Sequence, residues 1–133
     1  ELVDRISKKN YDFIVTNFAN TDMVGHTGNL SATIKAVETL DNCLGNLYNA
    51  CKKNEYILIV TSDHGNADMM FDINKDIPCT THSLNPVPFI ICESYNFSSK
   101  KGKLSDIAPT ILKLLGIPRP EDMNGRPLIK WNF

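Results

Sequence analysis

The chain has three histidines, and each lies in a polar segment that holds or adjoins other metal-binding residue types. They are His26 in Asn20-Thr21-Asp22-Met23-Val24-Gly25-His26, His64 in Thr61-Ser62-Asp63-His64-Gly65-Asn66, and His82 in Thr81-His82-Ser83. Carboxylate and neutral imidazole suit borderline divalent metals such as Mn, Zn and Fe. Asp22, His26, Asp63, His64 and His82 are therefore five candidate ligands in three segments, more than one ordinary site needs. They read as most of a two-metal site, the arrangement that clamps a phosphoryl group in transfer.

The spacing within each segment carries part of the case. Asp22 and His26 are four apart, so a helical turn or a tight loop aims both at one ion, with Gly25 giving the backbone freedom to bend. Asp63 and His64 are neighbours, and neighbours in an extended strand point to opposite faces. They meet one metal only if the chain turns there, as Gly65 permits, or they serve two adjacent ions; the spacing leaves both open. His82 alone would be an ordinary structural histidine, and its case rests on its company. Cys79 stands three residues before His82, a weak C-x-x-H pair, and reduced thiols are the preferred reading of all four cysteines. Asp72-Ile73-Asn74-Lys75-Asp76 opens like an EF-hand loop, but Ile77 stands where its glycine belongs and Ser83 where its closing acid belongs. Ser62 is a modest nucleophile candidate, with neither a base nor a helix N-terminus assigned to it.

The elements that must position these residues can be read from periodicity. Leu2, Val3 and Ile6 suggest the tail of an amphipathic helix. Residues 12–18 (DFIVTNF) and 56–61 (YILIVT) read as buried strands, and 87–92 (VPFIIC) as a third whose prolines suit a start or an edge. Between the first two, Ile34, Val37, Leu40, Leu44, Leu47 and Cys51 recur at helical spacing behind a cap at Ser31. Ser105 or Asp106 caps a last helix that runs through Leu115 and stops at Gly116 and Pro118. Met123-Asn124-Gly125-Arg126 is a turn before a short apolar end. Strand, helix, strand predicts an α/β fold with a mostly parallel sheet flanked by helices. Ligands on such sheets gather beyond the carboxyl ends of the strands, where the Asp22 and Asp63 segments fall.

Composition narrows the partners. With 133 residues, 42% hydrophobic and 22% charged, the chain reads as an ordinary soluble globular domain. A net charge of −1 provides no footprint for nucleic acid or anionic lipid. The run Lys100-Lys101-Gly102-Lys103 reads as a solvated loop. No apolar stretch is long enough to span a bilayer, and no signal peptide is visible. Two matches to the N-glycosylation pattern, at Asn29 and Asn96, matter only in a secreted protein. The first residues look like the inside of a helix, so a piece of a longer protein is expected.

Residues 17–28 (NFANTDMVGHTG), then Thr61-Ser62-Asp63-His64-Gly65-Asn66-Ala67, then His82 with Asn85-Pro86-Val87-Pro88, resemble the cofactor-independent phosphoglycerate mutases of the alkaline phosphatase superfamily. The likeness runs along essentially the whole chain and includes Gly125-Arg126. It implies two Mn²⁺ ions and the interconversion of 3-phosphoglycerate and 2-phosphoglycerate through a phosphoserine, in cytoplasmic glycolysis and gluconeogenesis. By position, Asp22, His26 and His82 would hold one ion, and Asp63 and His64 would contribute to the other. The nucleophilic serine, a further aspartate and the inserted transferase domain would lie outside this chain. Residues 1–133 would then be the C-terminal segment of a phosphatase-like domain, inactive alone. One departure is Thr21, where many members carry Pro. Two other readings follow from the same residues: a phosphodiesterase or sulfatase-like hydrolase of the superfamily, and a non-catalytic metal-binding module.

Overall fold

The computed structural model describes residues 1–99 and 101–130. Lys100 of the lysine run and the last three residues of the apolar end lie outside the described residues. The elements are α1 (Leu2–Lys8), α2 (Asn20–Gly25), α3 (Leu30–Lys53), β1 (Ile59–Thr61), β2 (Phe71–Asp72), β3 (Ile77–Pro78), β4 (Phe89–Ile91), a 3₁₀ turn at Leu104–Asp106 and α4 (Ile107–Leu114). They divide between two units, Glu1–Cys92 and Glu93–Phe133.

In the first unit the core forms where α1 and α3 press together. Ile6, Leu47, Ala50 and Cys51 are buried, and Leu2, Ile14, Phe18, Leu44, Tyr56 and Leu58 pack around them. Leu2 and Ile6 are one turn apart, which is why so short a helix can bury a face. α3 is capped two residues earlier than its serine suggests. Asn29 is the cap, its Oδ1 accepting from Ala32 N at 3.0 Å, while Ser31 donates its hydroxyl to that same oxygen at 2.9 Å. The helical stripe predicted for α3 is buried only along its C-terminal half. Leu47 and Cys51 are buried, whereas Ile34 and Val37 remain 49% and 45% exposed.

The sheet differs from the expectation. β1 pairs with β4 antiparallel, Ile59 opposite Ile91 and Thr61 opposite Phe89, and β2 pairs with β3 antiparallel. Among the described residues these two-stranded antiparallel pairs are the sheets, so the mixed α/β character stands, without a parallel pair among them. The reason lies in residues 12–18, which carry no ladder and are not a strand. A parallel pair needs two strands abreast. Here Ile14 and Phe18 turn onto the helical core while Phe13, Val15 and Thr16 stay exposed, and no strand pairs with the segment. The stretch 66–85, read as irregular, contains the β2–β3 hairpin. Asp72 Oδ1 accepts from Asn74 N and Lys75 N, so the EF-like residues serve a turn.

The second unit is built on α4. Thr110, fully buried, donates its hydroxyl to Asp106 O and accepts from Leu128 N at 2.9 Å, beside buried Pro109 and Ile129. The Asp106 carboxylate accepts from Arg126 N and Lys103 N, each at 2.8 Å, which holds its pKa below the usual carboxylate range against some burial. Asp106 is thus the N-terminal residue of α4 predicted from sequence, but its side chain caps the 3₁₀ turn and the 125–126 turn instead of α4 itself. Gly116, at φ +69°, ends the helix, with Ile117 N bonded back to Leu112 O. No described helix is long and apolar enough to cross a membrane.

Candidate metal centre

Four of the five candidate ligands come together in the first unit. The Asp22 segment is not a loop but the short helix α2, and His26 N bonds to Asp22 O at 3.1 Å. That turn puts both side chains on one face, with His26 Nε2 3.4 Å from Asp22 Oδ1. His82 Nε2 lies 3.2 Å from the same oxygen and 3.1 Å from His26 Nε2. Metal–donor bonds of about 2.0–2.2 Å put neighbouring donors roughly 3.0–3.6 Å apart in tetrahedral to octahedral shells. The triangle of Asp22, His26 and His82 therefore has the edge lengths of one side of a metal shell.

His26 is oriented for this role. Its Nδ1 lies 2.7 Å from the carbonyl oxygen of Thr80, which only accepts, so Nδ1 carries the proton and donates. That contact leaves Nε2 facing Asp22 and His82, and a backbone carbonyl on the other ring nitrogen is the usual second contact of a metal-binding histidine.

His64 and Asp63 extend the cluster. His64 stacks on His82 with ring centroids 3.6 Å apart and planes 20° from parallel. Its Nδ1 is buried without a hydrogen-bond partner and stands 4.0 Å from Asp22 Oδ1, while its Nε2 lies 3.6 Å from Asp63 Oδ1. A buried imidazole nitrogen without a partner is costly unless an ion or proton acceptor meets it. Asp63 itself is 80% exposed at its side chain and reaches none of Asp22, His26 and His82. Asp22, His64 and His82 also present atoms within 4.8 Å of one another. The set with His26 is tighter, since His26 Nε2 is 3.4 Å and His64 Nδ1 4.0 Å from Asp22 Oδ1. Ser62 Oγ donates to His64 O at 2.6 Å, so it pins the turn and is not held as a nucleophile. Cys79 stays apart, its sulfur 3.7 Å from Thr81 Oγ1.

Two residues that the sequence did not single out tie the segments together. Asn66 donates from Nδ2 to Asp22 Oδ1 at 2.6 Å. This bond, opposed by burial and aided by His26, His82 and His64, holds the Asp22 carboxyl below its usual range. Asp68 accepts from Asn85 Nδ2 at 2.6 Å and from Ser83 Oγ at 2.8 Å, and Ser83 N bonds to Gly65 O at 2.8 Å. Asn85 leads the causes that keep the Asp68 carboxyl low, with burial opposing and Ser83 and backbone N–H groups adding. Polar residues flanking Asp-His-Gly are the signal that marks both, but only contacts distant in sequence reveal what they hold.

A model of the metalloenzyme superfamily matches residues 1–119. The chain belongs to the metalloenzyme superfamily. Within it, the chain is similar to proteins named 2,3-bisphosphoglycerate-independent phosphoglycerate mutase. That of Ehrlichia ruminantium (strain Gardel) is 50% identical over 129 residues, 96% of this chain and 26% of the relative. That of Gracilaria tenuistipitata var. liui is 52% identical over 132 residues, again 96% and 26%. That of Wolbachia pipientis wMel is 52% identical over 131 residues, 97% of this chain and 26% of the relative. The chain thus spans about a quarter of the length of the curated relatives it matches. Membership of a metalloenzyme superfamily agrees with the donor set: one carboxylate and two imidazoles at shell-edge spacing, and a third imidazole with an unmet buried nitrogen.

Proposed function

We propose that the protein carrying this chain is a 2,3-bisphosphoglycerate-independent phosphoglycerate mutase, interconverting 3-phosphoglycerate and 2-phosphoglycerate. The observation that carries the reading is the convergence of Asp22, His26 and His82 on one point, in a chain about half identical to proteins of that name. In this reading Asp22, His26 and His82 hold one Mn²⁺, and Asp63 with His64 contributes to a second. Paired divalent ions supply charge that stabilises both the attacking and the leaving oxygen of a phosphoryl transfer. What this chain's residues contribute is orientation. Thr80 O fixes the His26 tautomer, Asn66 fixes the Asp22 carboxylate, and the stacked rings of His64 and His82 keep the two ligand groups adjacent.

The phosphoryl-accepting serine belongs, in this reading, to a part of the protein outside residues 1–133, which form the C-terminal segment of a phosphatase-like domain. The exposed side chains of Phe13 and Val15 support a sheet completed by further strands, with the parallel order expected of that domain. The substrate is a small phosphoglycerate, and a glycolytic role places the protein in the cytoplasm.

The test is turnover of 3-phosphoglycerate by the complete protein without added bisphosphoglycerate, alongside His26→Ala and Asp63→Ala. The reading requires activity in the unmodified protein and its loss, by 10²-fold or more on the order of metal-ligand removal, in both variants. A dependence on added bisphosphoglycerate, or full activity in His26→Ala, overturns it. Residues 1–133 alone are expected to give no turnover in Mn²⁺ buffer.

A further inference from the structure

We infer that Asn66 is a positioning residue for the metal site, acting through Asp22, and that position 25 is glycine so that Asn66 can reach it. This rests on the reading of Asp22, His26 and His82 as metal ligands.

Asn66 is only 7% exposed, so its amide has given up water and must be satisfied within the protein. Its Nδ2 finds two acceptors on one residue: Asp22 Oδ1 at 2.6 Å and Asp22 O at 3.3 Å. It therefore grips the carboxylate and the backbone of the ligand together. The oxygen it holds is the one that faces His26 Nε2 and His82 Nε2. An aspartate side chain has two rotatable bonds, and a donor fixed on one oxygen removes the alternatives in which that oxygen turns to solvent. Asn66 also stands two residues after His64, so the same bond couples the loop that follows β1 to α2.

Gly25 supplies the second, independent observation. It is helical and buried, and its φ is not in the left-handed region, so backbone conformation does not call for glycine. Alanine has the higher helix propensity. Space is what excludes it. A Cβ at position 25 would lie 2.4 Å from Asn66 Oδ1 and 2.9 Å from Asn66 Cγ. The helix forgoes a side chain at the point where Asn66 passes on its way to Asp22.

The experiment is calorimetric titration of MnCl₂ into the complete protein and its variants, with thermal melting by circular dichroism as a check on folding. Asn66→Ala is expected to weaken Mn²⁺ binding by about 10–100-fold, the range for groups that orient metal ligands. In the Asp22→Ala background the same change is expected to cost nothing further, because the group it acts through is gone. Gly25→Ala is expected to reproduce the loss by displacing Asn66, and to be neutral when combined with Asn66→Ala, which vacates the space. Unchanged Mn²⁺ affinity in Asn66→Ala overturns the inference. So does an equal loss with and without Asp22, which would mark Asn66 as a general structural residue, and so does an additive loss from Gly25→Ala and Asn66→Ala. Failure of the unmodified protein to bind Mn²⁺ overturns the metal-site reading itself, and the inference with it.

Discussion

His82 is shared between two neighbours: its ring stacks on His64 at 3.6 Å between centroids, and its Nε2 points at Asp22 Oδ1 from 3.2 Å. One imidazole thus links the Asp22 carboxylate to the His64 ring, and with them the two segments that carry these residues. Neutral imidazole is the form that binds metal.

Removal of His82 should therefore damage more than one ligand. His82→Ala and His26→Ala are each expected to weaken Mn²⁺ binding by about 10-fold or more, whereas Cys79→Ala should leave it unchanged. Titration of MnCl₂ into each variant is the measurement. Because binding displaces protons from the ligands, affinity should also fall as the solution is acidified.

Gly65→Ala should be strongly destabilising. Its Cβ would meet Ser83 Oγ at 2.2 Å and Asp68 Oδ1 at 2.6 Å, both held in hydrogen bonds. A cost of about 1–3 kcal/mol is expected for such overpacking, read as a lowered urea midpoint, together with weaker Mn²⁺ binding because His82 adjoins Ser83.

Acid should erode stability through Asp68 and Asp106, whose folded pKa values are both depressed. A depressed carboxyl contributes its full share above the unfolded value, about 3.9, and loses it as pH falls below that and through the folded value. Urea midpoints should be level from about pH 7 to pH 5 and drop below about pH 4. Asp68→Asn and Asp106→Asn should each be less stable at neutral pH and flatter on the acid side. A parallel acid limb in both variants would refute the assignment.

Thr21→Val should stabilise the protein. The Thr21 Oγ1 is buried without a partner, and valine keeps its shape while removing the unmet hydroxyl. A gain of about 1 kcal/mol is expected from denaturant unfolding.

What the sequence disclosed about the site follows from how local each signal is. Asp22 and His26 share a turn, so their spacing alone placed them on one face. The triangle with His82 depends on contacts across more than fifty positions, which only the density of ligand-type residues and the family resemblance could suggest. Gly25 and Gly65 were legible as special but for the wrong reason. Neither has a positive φ; both are bare because another side chain passes close by, Asn66 in one case and Ser83 in the other. The fold was legible where a helix buries its own stripe, as at Leu47 and Cys51. It was not legible at 12–18, because a strand is defined by its neighbour as much as by its residues.

The bridge between Gly65 and Ser83 has a consequence for how much variation this region can bear. It clamps the chain at the base of the excursion that carries β2 and β3, with Asn66 and Asp68 on one leg and Thr80 and His82 on the other. Once the base is fastened, what hangs beyond it between Met69 and Cys79 is a tethered tip. Doubling the length of such a loop costs only about 0.6 kcal/mol in closure entropy. A change of length at that tip is therefore cheap, while the ligand geometry at its root is held by the bridge.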